Sequence, residues 1–68
     1  MPKRYATQHI LAVLRRKGFW QVGQRGSHIK LTDGLHVVIV PAGRREIRPG
    51  TMQSIVRQSG LPKSAFED

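Results

Sequence analysis

An α+β fold, with two helices on one face of a three-stranded antiparallel sheet, is what this 68-residue sequence predicts. Three observations carry the expectation. Apolar residues recur at helical spacing in two separate segments, first Ile10, Leu11 and Leu14, then Met52, Ile55 and Val56. Between them lie three strand-like runs, at 19–24, 28–32 and 35–40. Tight-turn signals at Gly26-Ser27 and Asp33-Gly34 join those runs into a meander, so the element order is α-β-β-β-α.

Thr7 is placed as the N-cap of the first helix, since its hydroxyl can accept an unpaired N–H of the first turn. The helix spans about residues 7–17. Arg15, Arg16 and Lys17 occupy its last turn, where the dipole favours cations, and Gly18 ends it in the left-handed conformation. The first strand, Phe19 to Gln24, puts Phe19 on one face and Trp20 and Val22 together on the other. If Phe19 is core, Trp20 lies on the open face and can stack on a base or ribose; otherwise it completes the rim of the core.

The second strand, His28 to Thr32, turns Ile29 and Leu31 one way and His28 and Lys30 the other. Asp33-Gly34 suits a type I′ turn, with positive φ at both central residues. The third strand runs from Leu35 to Val40 and stops at Pro41, which removes a ladder donor. His36 reads as a surface residue of that strand, alternating with inward Val37 and Ile39, and His9 as a solvated residue of the first helical turn. A basic loop over 42–50 carries Arg44, Arg45 and Arg48, relieved only by Glu46. Thr51 is placed as the N-cap of the second helix and Gly60 as its end, and one further turn docks Leu61 and Phe66.

The charge is unbalanced. Lysine and arginine number 12 against 4 acidic residues, a net +8, and Lys3, Arg4, Arg15, Arg16, Lys17, Arg25 and Lys30 all precede the first acid, Asp33. Such a field attracts phosphate backbones. Residues 1–68 are expected to form one domain, and the absence of cysteine removes disulfides and thiolate metal sites. The longest apolar stretch, Val37 to Val40, is far below the roughly 20 residues that span a bilayer. A cytoplasmic protein without membrane contact is the expectation.

His9, His28 and His36 show no ligand spacing and the carboxylates are scattered, so no metal or other cofactor is expected. A nucleophilic triad needs an acid to orient its base, and nothing in the sequence places Asp33, Glu46, Glu67 or Asp68 near His28. General acid–base work by one histidine remains. RNA carries its own nucleophile, the 2′-hydroxyl, so cleaving it requires a base, charge on the phosphorane-like transition state, and an acid for the leaving oxygen. His28, set after the Gly26-Ser27 bend, can be the base, with Arg25 and Lys30 supplying charge; no acid is identified. Gly26, Ser27, Arg15, Arg16, Lys17 and Trp20 complete the expected RNA-binding set. A non-enzymatic RNA-binding module, or a protein that docks an acidic partner, fits the same residues.

Taken in order, the motifs resemble the HicA family of toxins from HicA–HicB toxin–antitoxin systems. They are Lys17-Gly18-Phe19, Gln24-Arg25-Gly26-Ser27-His28, Val40-Pro41, Arg45 to Thr51, Ile55 to Leu61, and Phe66. The resemblance implies a double-stranded-RNA-binding-domain-like fold and a metal-independent, ribosome-independent mRNA interferase whose catalytic histidine falls on His28. It also implies a HicB-type antitoxin that covers His28, often in a heterotetramer. Two positions depart from the pattern. Gly43 stands where many members have a histidine, and Pro62 replaces the usual serine cap of the last turn.

Overall fold

The structure, a computed structural model, describes residues 4–67. Its elements are β1 (Tyr5–Ala6), α1 (Thr7–Arg16), β2 (Trp20–Arg25), β3 (His28–Thr32), β4 (Val37–Pro41), β5 (Glu46–Ile47) and α2 (Pro49–Ser59), followed by a 3₁₀ turn over Lys63–Phe66. The antiparallel sheet β2-β3-β4 and the two helices form the α-β-β-β-α arrangement the sequence predicts. The core is where the two apolar periodicities meet: Leu31, Val38 and Val40 of the sheet pack with Ile10, Val13 and Leu14 of α1, Met52 and Ile55 of α2, and Phe66.

α1 ends as its sequence requires. Gly18 takes φ +93°, its N–H donates to Arg15 O at 3.1 Å, and the Phe19 N–H donates to Leu14 O at 2.9 Å. Those two bonds make the Schellman closure, and Phe19 enters the core beside Leu14. The start differs from expectation. Ala6 occupies the N-cap position, and Thr7 is the first helical residue, 2% exposed. Its hydroxyl instead donates to Arg44 O at 2.6 Å, and its N–H to Arg45 O at 2.7 Å. α2 likewise starts earlier than Thr51, with Arg48 at the N-cap and Pro49 in the first turn. Proline tolerates that position because it has no N–H to leave unpaired.

β2 contains a bulge that alternation alone does not reveal. Gln21 pairs with Leu31 and Gly23 with Lys30, so Val22 is supernumerary. Trp20 and Val22 therefore do not share a regular strand face. The outward set is Trp20, Gly23 and Arg25, opposite Thr32, Lys30 and His28. Phe19 is core and Trp20 is 53% exposed, which settles Trp20 on the open face rather than on the core rim.

β4 also runs in the opposite phase to the one read from the sequence. Val38 and Val40 are fully buried, while Val37 and Ile39 join the open face opposite Thr32 and Lys30. The β3–β4 connection is a four-residue loop, not a type I′ turn. No residue other than glycine has positive φ among the described residues, so Asp33 cannot fill the first turn position. Asp33 Oδ1 instead accepts the N–H groups of Leu35 and His36 at 2.9 and 2.7 Å. Leu35, expected in the strand, lies in this loop and is 90% exposed.

Candidate functional site

His28 owes its position to the two-residue turn that precedes it. Arg25 and His28 face each other across the ladder, with Gly26 and Ser27 between them. Gly26 alone has positive φ, at +58°, the pattern of a type II′ hairpin turn. The Gln24 side-chain amide braces the turn by donating to Gly26 O at 3.0 Å. His28 is exposed, and among the described residues its side chain has no hydrogen-bond partner.

The loop after β4 folds back onto this turn. The Ala42 N–H donates to Ser27 O at 2.6 Å, and a Cβ on Gly43 would lie only 3.0 Å from Ser27 Cβ. A histidine at position 43 would thus force the Ser27 turn to shift, so the glycine fits the close approach. Downstream, the two bonds from Thr7 tie Arg44 and Arg45 to the start of α1, and β5 pairs with β1 through Ala6–Glu46 and Tyr5–Ile47. Ile47 is 1% exposed and anchors that ladder in the core.

The result is a cleft of about 400 Å³, within the usual range of ligand sites, bordered by Ser27, His28, Arg44, Glu46, Arg48 and Thr51. A second hollow shares three of those residues and adds Arg4 and Arg45. The start of α2 borders the first cleft through Arg48 and Thr51, where the helix dipole favours an anion. Chemically, this is an imidazole and a carboxylate beside guanidinium groups suited to bidentate contact with phosphate. A separate apolar groove between Tyr5, Met52 and Val56 holds neither an imidazole nor a carboxylate.

The residues singled out in the sequence fall into two groups. Arg25, Gly26, Ser27, His28 and Lys30 come together at one end of the sheet, with Arg25, His28 and Lys30 on one face. Trp20 pairs with Thr32 at the other end, roughly 13 Å along β3 at about 3.3 Å per residue. Arg15, Arg16 and Lys17 end the helix that leads into that far end. Arg44, Glu46, Arg48 and Thr51 were not in the expected set. The charge of the first three is visible in the sequence, but the approach of the loop to His28 depends on the non-local contacts of Ser27 and Thr7.

Neither of the other histidines is the simple surface residue the sequence suggests. His9 Nε2–H donates to Phe66 O at 2.8 Å, and its ring stacks on Tyr5 with centroids 6.4 Å apart. His36 is half-buried, with Nδ1 3.0 Å from Asp33 Oδ2 and its ring 6.5 Å from that of Phe19. The Asp33 carboxyl is held down at about 2, first by the His36 backbone N–H, then by the His36 ring and the Leu35 N–H. Tyr5 donates to Glu67 Oε2 at 2.9 Å, and burial followed by this carboxylate raises its phenol. Among the described residues, no three histidine, aspartate or glutamate side chains gather as metal ligands, and no helix is long and apolar enough to cross a membrane.

Fold and site together define a small basic α+β domain with one unpartnered imidazole at the mouth of an arginine-lined cleft. Residues 7–61 match the family described as the HicA toxin of bacterial toxin-antitoxin, and the chain belongs to that family. It is thus of the toxin type, in a family whose systems pair a toxin with an antitoxin. No curated protein matches it significantly.

Proposed function

We propose that this chain is a growth-inhibiting toxin that cleaves mRNA, with His28 as the general acid/base of a metal-independent endoribonuclease. The observation that carries the reading is the exposed His28 imidazole, without a side-chain partner, at the edge of a cleft bordered by Arg44 and Arg48. RNA supplies the 2′-hydroxyl nucleophile, so the protein has only to move protons and stabilise charge at phosphorus. Arg25 and Lys30, on the same sheet face, contact the phosphates on one side of the scissile bond. Arg44 and Arg48 do so within the cleft.

Residues 1–68 act in this reading as one cytoplasmic domain. A HicB-type antitoxin silences it by covering His28, in a heterotetramer. The exposed, basic surroundings of His28 support this, since an acidic partner segment fits the same surface as the RNA.

Purified protein and the His28→Ala variant are to be compared on single-stranded RNA in excess EDTA. Wild-type cleavage in EDTA, lost in the variant, is the expected result. Equal cleavage by both removes His28 from the chemistry, and loss of wild-type activity in EDTA removes the metal-free mechanism. RNA binding without cleavage under any condition leaves a non-enzymatic binding module instead.

A further inference from the structure

We propose that Glu46 is the second proton-transfer group of this site, the base that takes the 2′-hydroxyl proton while His28 protonates the leaving 5′-oxygen. The proposal rests on the ribonuclease reading above and supplies the partner that reading lacks. The first argument is elimination among the carboxylates. The sequence has four. Asp33 closes the β3–β4 loop through Leu35 and His36, Glu67 accepts from Tyr5, and Asp68 lies outside the described residues. Glu46 remains, and it borders the same cleft as His28.

The second argument is electrostatic. Glu46 also borders the hollow formed by Arg4, Arg44, Arg45 and Arg48, yet among the described residues its carboxylate forms no ion pair or hydrogen bond. It is therefore not there to hold the fold together. A negative charge on a phosphate-binding surface weakens binding, so its presence is explained if it reacts. The backbone beneath it is well held: Glu46 pairs with Ala6, the preceding Arg45 carbonyl accepts from Thr7, and the following Ile47 is core. So anchored a strand fixes the point from which the exposed Glu46 side chain reaches the cleft.

The division of labour follows from what each group can do. An ionised carboxylate only accepts protons, whereas an imidazolium donates. Glu46 removes the 2′-hydroxyl proton as that oxygen bonds to phosphorus. The bond from phosphorus to the 5′-oxygen breaks, and His28 gives its proton to that oxygen. The products are a 2′,3′-cyclic phosphate and a 5′-hydroxyl end. One proton has moved onto Glu46 and one has left His28, and exchange with water restores both.

The test measures single-stranded RNA cleavage against pH, and RNA affinity separately, for wild type, Glu46→Gln, Glu46→Asp and His28→Ala. Glu46→Gln is expected to lower kcat on the order of 10²- to 10⁴-fold. It should leave affinity unchanged or tighter, because a repelling charge is gone, and should abolish the acid limb of the pH–rate profile. Glu46→Asp should recover part of the rate and the acid limb. A Glu46→Gln protein with wild-type rate and an intact acid limb overturns the role of Glu46; an inactive His28→Ala beside it leaves the ribonuclease reading standing. If His28→Ala cleaves like wild type, the underlying reading falls and this proposal with it.

Discussion

At one end of β3, a two-residue turn delivers His28 to solvent with no side-chain partner. At the other, a four-residue loop encloses His36 between Asp33, Phe19 and Gly60. The same residue type stands at both ends of one sheet. The difference is whether a neighbouring group engages the ring: Nδ1 of His36 is held by Asp33, whereas among the described residues the His28 ring has no such partner. A histidine whose ring is bonded and packed against an aromatic neighbour serves the fold, whereas one left open beside cations is available to a substrate. Charge divides the ends in the same way: Asp33 sits against the His36 ring, while Arg25, Lys30, Arg44 and Arg48 outnumber Glu46 around His28.

The comparison breaks most decisively at His28. Substitution by alanine should lower RNA cleavage on the order of 10²- to 10⁴-fold while leaving the melting temperature within about 4 °C, because an exposed, unpaired side chain contributes little to stability. Next in size is Gly60→Ala. Gly60 has φ +70°, and a Cβ there would lie 2.5 Å from His36 Nε2. The left-handed conformation alone costs about 1–2 kcal/mol, and moving the held ring adds to it. Denaturant unfolding should show the larger loss in wild type and the smaller one in a His36→Ala background. Equal losses in both would mean that the ring yields freely.

His36→Ala by itself should lower unfolding free energy by about 1 kcal/mol, the usual scale of a lost hydrogen bond, with cleavage per folded molecule unchanged. Acid exposes the same loop. Because the Asp33 carboxyl is held down at about 2 in the fold against its ordinary 3.8, its contribution is fully present above about pH 4 and is lost as pH falls through about 2. Melting temperature followed over that window should drop in wild type and flatten in Asp33→Asn. Smallest is the effect of Arg25→Ala or Lys30→Ala on RNA binding. Each should reduce the slope of log affinity against log salt by about one, the signature of a single phosphate contact. An unchanged slope removes that residue from the interface.

Most of the architecture was legible because it is local. The α1 periodicity, the Gly18 stop, the Gly26-Ser27 bend and the inward Leu31 each depend on a few neighbouring residues, and each stands as read. The errors share a different cause. Thr7 and Thr51 have the chemistry of N-caps, but Thr7 is drawn into a tether to the arginine loop, and Pro49 starts α2 before Thr51 is reached. Asp33 looks like a turn residue by its backbone yet acts through its side chain. In the run of valines and isoleucine along β4, either phase is equally apolar, so hydropathy could not choose between Val37 and Val38. The two-residue strands β1 and β5 carry no periodic signal. Without their pairing, nothing in the sequence brings Arg44, Glu46 and Arg48 to His28, which is why half of the candidate site was missed.

The bulge at Val22 gives the β2–β3 hairpin one residue of slack. Regular pairing resumes on both sides of it, with Gln21 opposite Leu31 and Gly23 opposite Lys30. A chain one residue shorter at this point would close into a continuous ladder with every other pairing intact. Arg25 would still face His28, and Trp20 would still face Thr32. Length variation in this hairpin thus has a place to occur that moves neither end of the open sheet face. The spare residue sits between them, and its loss is taken up as a slip joint takes up travel.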